Sequence, residues 1–169
     1  VELKVLIDEV SLKKKVKEIS EKISSDYSGI PLTVICVLKG AFIFTADIVR
    51  ELKTETVIDF IRVKSYEGKA KLESRITYKP EIDLREKHVL IIDDIFDTGE
   101  SLETVYKYIQ SQKPASIKSC VLLSKDVPKR TNLQVDYIGF NVPNKFIVGY
   151  GLDVNELYRD LPYIGYIEE

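Results

Sequence analysis

The stretch HVLIIDDIFDTGES, residues 88–101, decides how this chain folds. It opens as an unbroken apolar run, the pattern of a strand buried on both faces. It then sets three carboxylates, Asp93, Asp94 and Asp97, directly before Thr98, Gly99, Glu100 and Ser101. Like charges this close raise one another's pKa unless a cation or a hydrogen-bond donor stabilises them. Leu102, Val105 and Ile109 follow at helical spacing. Strand, glycine turn and helix in succession make an anion-binding arrangement. Gly99 permits backbone geometry that other residues resist, and the helix start offers free N–H groups at the positive end of its dipole. Thr98 and Ser101 add hydroxyls. Asp97, Thr98 and Ser101 would also serve as ordinary helix caps; their place directly after Asp93 and Asp94 favours a site. Those two carboxylates suit sugar hydroxyls or hydrated Mg²⁺. Adjacent strand residues face opposite ways, so they play different parts.

The flanking sequence supplies the rest of the layout. Leu12, Val16, Ile19, Ile23 and Tyr27 form one helical face, with the lysines at 13–15 on its solvated side. GIP at 29–31 stops that helix, and LTVICVL at 32–38 reads as a strand ending in a Lys39-Gly40 turn. AFIFTADIVREL is a helix whose apolar face is read as Phe42, Ala46, Val49 and Leu52. TVIDFIRVKSY at 56–66 alternates as a half-exposed or edge strand. Residues 65–75, SYEGKAKLESR, lack an apolar period and read as a long mobile loop, a feature often functional. SIKSCVLL, VDYIGFNVP, KFIVGYGL and LPYIGYI are further strands, with SKDVPKR as a turn. Apolar strands alternating with helices predict an α/β fold, a mainly parallel sheet covered on both faces. In such folds ligands sit beyond the carboxyl ends of the strands. Lys39-Gly40, Asp93 to Ser101 and Lys125 all fall there.

The bulk composition narrows the classes. A chain of 169 residues predicts one domain with a sizeable core. With 44% hydrophobic and 31% charged residues it is globular rather than disordered. A net charge of -2 argues against broad nucleic-acid binding. No apolar run approaches the roughly 20 residues of a membrane span. No signal-peptide pattern opens the chain, so a cytoplasmic location is expected. Cys36 and Cys120 sit in apolar runs and read as reduced core thiols. His88 is the sole histidine, so a zinc site is not expected.

The quoted stretch resembles the signature of the type I phosphoribosyltransferases, which bind 5-phosphoribosyl 1-diphosphate (PRPP). VLKGAFIFTADIVREL, VKSYEG, LLSKDVPKR and NKFIVGYGLDVNELYRDLPYIG are similar, in order and spacing, to the hypoxanthine-guanine phosphoribosyltransferases. The resemblance covers nearly the whole chain beyond residue 30, and its C-terminal block is the most specific part. It implies the type I phosphoribosyltransferase fold as a single domain over 1–169, with a small hood subdomain formed from the chain ends.

The resemblance also implies roles. Asp93 and Asp94 would hold ribose hydroxyls and Mg²⁺, and Asp97 would take a proton from the purine. Asp97, Thr98, Gly99, Glu100 and Ser101 would bind the 5′-phosphate. Lys39, Gly40 and Arg159 would bind diphosphate, with a cis peptide at Leu38-Lys39 frequent in the family. Ser65 and Tyr66 would begin a closing loop. Lys125 would donate to the purine 6-oxo group, Phe146 would stack on the ring, and Ile147 would meet its edge. Asp153, at the purine end, would hold a second Mg²⁺. A homodimer or homotetramer is implied, and the substrates would be PRPP with hypoxanthine or guanine, xanthine being a third candidate.

By position alone, Lys125 could be a solvated turn lysine, Phe146 a core aromatic, and Asp153 and Arg159 surface charges. Three departures from the family pattern stand out. Ala41 replaces a second glycine, Asp93 replaces a frequent Glu, and Ser101 replaces a frequent Thr. A non-catalytic PRPP sensor on the same fold would need a basic face or an added DNA-binding domain. A receiver domain would leave the anion loop unexplained. Pyrimidine and adenine phosphoribosyltransferases should lack the Lys125 and Phe146 constellation.

Overall fold

The strands of the central sheet are apolar because both of its faces are covered. The computed structural model describes residues 2–67 and 72–168. In chain order the elements are β1 (Glu2–Ile7), α1 (Glu9–Asp26), β2 (Leu32–Leu38), α2 (Phe42–Glu51), β3 (Thr56–Glu67) and β4 (Leu72–Tyr78). They continue with β5 (His88–Phe96), α3 (Glu100–Ser111), β6 (Ser116–Lys125), β7 (Tyr137–Val142), β8 (Phe146–Val148) and β9 (Ile164–Glu168).

Among the described residues, six strands form a sheet in the order β4-β3-β2-β5-β6-β7. Every neighbouring pair is parallel except β3 with β4. Alternation along β5 assigns its two faces. Leu90 and Ile92 pack in one cluster with Leu12, Ile19 and Ile23 of α1 and Phe44 and Ile48 of α2. Val89 and Ile91 pack in a second cluster with Leu102, Val105 and Ile109 of α3. The three α3 residues are those its sequence period singles out. Cys36 and Cys120 are free and buried. Burial pushes the Cys36 thiol up to about 11, so it stays protonated and inert near neutral pH.

A second, three-stranded sheet is the expected hood, with the order β1-β9-β8. β1 runs antiparallel to β9, bringing Leu3 opposite Ile167 and Val5 opposite Gly165, so the two ends of the chain meet. Ile7, Ile147, Tyr150, Leu152 and Ile164 join the α1–α2 cluster, so hood and sheet share one hydrophobic core.

The structure differs from the expectations in three places. The 65–75 segment is strand on both sides of residues 68–71, which lie outside the described residues: Ser65 pairs with Ser74 and Lys64 with Arg75. The hairpin's strands are joined by a ladder of backbone pairs, and Ile76 of β4 packs against the second cluster. A strand held that way shows little apolar alternation. The buried face of α2 is Phe44, Thr45 and Ile48, with Ala41 before it, whereas Phe42 is exposed. So many α2 positions are apolar that two faces satisfy the helical period. β1 was not expected as a strand, because its partner lies at the other end of the chain.

Candidate active site

The carboxyl ends of β2 and β5 open into a cleft of about 250 Å³, lined by Gly40, Asp93, Asp94, Asp97, Thr98 and Ser101 among others. Asp93 is buried, and its Oδ1 accepts from the Asp94 N–H at 2.8 Å. Asp94 repeats the motif, its Oδ1 accepting from the Ile95 N–H at 2.7 Å. The side-chain alternation of β5 reverses just here. Ile95 packs with the first cluster and Phe96 with the second. The two carboxylates thus satisfy backbone donors at a strand irregularity. Burial, followed by the neighbouring Asp94 charge, pushes the Asp93 carboxyl well above the usual carboxylate range. Burial raises Asp94 too, against hydrogen bonds from Asp93 and local N–H groups and the Arg159 charge.

Leu38-Lys39 is a cis peptide bond. Gly40 follows it and lies against Asp94. A Cβ built on Gly40 would stand 1.8 Å from the Asp94 Oδ2. A side chain and this carboxylate cannot both occupy the space, which is the physical reason for glycine at that position.

Gly99 has φ +93° and heads α3, whose first turn has no side-chain cap. The residues that could have been mere caps, Asp97, Thr98 and Ser101, therefore do not take that role. Gly99 and Ser101 at the start of α3 line the cleft, where the N–H groups of a helix start suit an anion. Ser101 Oγ lies 3.4 Å from Ser74 Oγ of β4, a neighbour the sequence did not signal.

Asp97 is half-exposed beside the loop, and Lys125 from the end of β6 reaches it with Nζ 3.5 Å from Oδ2. The Lys125 side chain is 15% exposed, so it is not a solvated turn lysine. Phe146, on β8 in the hood, is 57% exposed. It is therefore not a core aromatic, and its ring is free to stack. Ile147 is buried and paired opposite Tyr166.

The two cations expected at diphosphate meet a carboxylate that the sequence reading missed. Glu156 lies 3.2 Å from Lys39 Nζ and 3.3 Å from Arg159 Nη2. These contacts, Arg159 first, hold its carboxyl below the usual range. Arg159 also donates to the Gly151 carbonyl at 2.7 Å and pairs with Asp153 at 3.3 Å. Asp153 Oδ2 accepts from the Glu156 N–H at 2.8 Å, so both its oxygens already serve this loop. The spacing of Glu156 from Arg159, three residues, was the available signal. Ser65 lies on β3 opposite Ser74, and Tyr66 continues that strand opposite Glu73.

Mg²⁺ keeps several waters and uses one or two carboxylates plus substrate phosphates. The donor set of Asp93 and Asp94 fits that habit. Among the described residues no three His, Cys, Asp or Glu side chains form a cage of their own.

Fold and site together define an α/β domain built to hold a phosphorylated ligand at the carboxyl edge of a parallel sheet. The family model described as the phosphoribosyl transferase domain matches residues 7–155. A hypoxanthine-guanine phosphoribosyltransferase of Aquifex aeolicus is 40% identical, with 99% of this chain and 96% of that protein aligned. One from Staphylococcus aureus is 36% identical over 95% of this chain and 91% of its own length. The crystal structure of a Bacillus anthracis hypoxanthine-guanine phosphoribosyltransferase superposes with a TM-score of 0.91 at 36% identity, covering 99% of this chain and 100% of that one. The chain belongs to the hypoxanthine-guanine phosphoribosyltransferase family.

Proposed function

We propose that this chain is a purine-salvage pentosyltransferase, replacing the diphosphate at C1 of PRPP with N9 of hypoxanthine or guanine. The products are IMP or GMP and diphosphate. The observation that carries this reading is the Asp97–Lys125 pair, 3.5 Å apart beside the anion loop. A 6-oxopurine presents N7 and O6 on one edge. An acceptor for an N7 proton and a donor for O6 must therefore stand next to each other, as these two do.

The chain's own groups divide the work as follows. The N–H groups at the start of α3, with Thr98 and Ser101, hold the 5′-phosphate. Asp93 and Asp94 hold the ribose hydroxyls. As the C1–O bond to diphosphate breaks, Lys39 and Arg159 stabilise the charge growing on the leaving group. The N9–C1 bond forms while Asp97 takes the N7 proton. Asp93 and Asp94 and, on the resemblance, Asp153 would hold Mg²⁺, which would supply neutralisation of diphosphate charge. Phe146 stacks on the base, and backbone at Ile147 meets its edge. Ser65 and Tyr66 begin the segment that closes over the reacting centre.

The protein acts as a single domain, consistent with the core shared by hood and sheet, and as a homodimer or homotetramer. A cytoplasmic place agrees with its two free, buried thiols. No helix among the described residues is long and apolar enough to cross a membrane.

The test is a spectrophotometric assay with PRPP and Mg²⁺, offering hypoxanthine, guanine, xanthine and adenine separately. Nucleotide is expected from oxopurines and not from adenine, and a chelator should abolish turnover until Mg²⁺ is restored. PRPP binding without turnover on any base would leave a sensor instead of an enzyme. Absence of PRPP binding would overturn the ligand assignment.

Gly40→Ala tests the diphosphate corner. Its new methyl would force the Asp94 carboxylate aside, and overpacking of this kind costs about 1–3 kcal/mol. The PRPP dissociation constant is expected to rise roughly 10- to 100-fold, measured by calorimetry. An unchanged constant would mean that neither Gly40 nor Asp94 lies at the PRPP site.

A further inference from the structure

The turn SKDVPKR contributes more than Lys125. Lys129 has three ammonium donors, and each meets a backbone carbonyl. They are Phe96 at 3.1 Å, Asp97 at 2.6 Å and Lys125 at 2.6 Å. The Nζ also stands 4.7 Å from the centre of the Phe96 ring. These carbonyls lie where the β5–β6 ladder runs out, its last pair being Phe96 with Ser124. Beyond that pair no ladder bond holds the two strand ends in register, and Lys129 bridges them.

The next residues continue the contact. The Arg130 N–H donates to the Thr98 carbonyl at 2.8 Å, and its guanidinium lies 3.6 Å from Glu100. The Thr131 methyl occupies the space beside Gly99, 2.4 Å from where a Cβ there would sit. Residues 129–131 therefore strap the back of the anion loop, residue by residue.

We propose that Lys129 is a positioning residue for the purine, holding Asp97 and Lys125 at a fixed separation through their own backbone carbonyls. The inference rests on the oxopurine-transfer reading above. Lys129 spends its donors on three peptide carbonyls, which leaves none for a phosphate. It is therefore not itself a phosphate ligand. Lys129 is exposed, yet its three donors are spent on backbone carbonyls. Removal from water holds its pKa below the ordinary lysine value, a cost that charge-assisted bonds to three carbonyls offset. The consequence is specific. Loss of the ammonium lets the general base drift relative to the 6-oxo donor, while the N–H face of the phosphate loop stays in place.

The experiment compares wild type with Lys129→Met, Lys129→Gln and Lys129→Arg. Turnover and KM are measured for hypoxanthine, guanine and adenine, PRPP affinity by calorimetry, and folding by thermal melting. Misplacement of reacting groups by an ångström can cost on the order of 100-fold. Lys129→Met is expected to lower kcat/KM for oxopurines by roughly 10- to 100-fold. The loss should fall on purine KM as well as kcat, with a narrower preference over adenine and nearly unchanged PRPP affinity. Lys129→Gln should fall between, and Lys129→Arg should recover most of the activity. A purine KM and base preference that ignore this order would overturn the proposal. So would a loss of PRPP affinity equal to the loss in the purine step. An inert wild type would overturn the transfer reading and this inference together; an active wild type matched by Lys129→Met would overturn this inference alone.

Discussion

Asp97→Asn is expected to lower kcat by about 10²- to 10⁴-fold, the range for removing a general base, while PRPP affinity changes little. The substitution keeps the shape of the side chain and its place after Phe96, and it removes the ability to accept a full proton. On the proposed reading Asp97 contributes its side chain to the purine side of the cleft, and its Oδ2 lies 3.5 Å from Lys125. On the same reading its neighbours Thr98 to Ser101 supply the phosphate site. Binding and proton transfer should therefore separate. Pre-steady-state turnover with hypoxanthine, beside calorimetry with PRPP, measures both. Equal losses in the two would show that Asp97 binds PRPP rather than acting as a base.

Lys125→Met should act on base choice. On the proposed reading the wild-type ammonium opposes a 6-amino group with a donor facing a donor, and a mispaired hydrogen-bonding group can cost about 10⁴-fold or more in discrimination. Without it, the oxopurine loses its partner and adenine loses its penalty. The ratio of kcat/KM for hypoxanthine over adenine is expected to fall by at least roughly 100-fold, mostly through the oxopurine term. Asp97 would also lose its neighbouring cation. A ratio that stays at the wild-type value would place O6 recognition elsewhere. The two substitutions are in contact through one ion pair, so their effects should not add. The double variant measures the coupling.

Much of this molecule is local in origin, and local features are legible in a sequence. β2, β5 and β6 are apolar runs because both faces of the sheet are covered. α1 and α3 show their buried stripes, Leu12 to Ile23 and Leu102 to Ile109, because a helix repeats within one segment. The anion loop is contiguous, so Asp93, Asp94, Asp97, Gly99 and Ser101 announce themselves together. Lys125, Phe146 and Arg159 are different. Their residue types are unremarkable, and the family resemblance singles them out where spacing does not.

Tertiary structure decided what depends on distant partners. β1 became a strand because β9 lies across from it, and β4 because β3 offers a ladder of backbone bonds that leaves little trace in side-chain pattern. The buried face of α2 was settled by what the sheet presented to it, its composition allowing more than one. Glu156 sits between Lys39 and Arg159, and Lys129 spans the ends of β5 and β6, through contacts that no local period encodes. Sequence by itself determined the strands buried on both faces, the helices with a clear apolar stripe, and the loop that can hold a phosphate. The fold alone decided which charges meet across that loop, because a hydrogen bond or an ion pair is set by distance in space and not by distance along the chain.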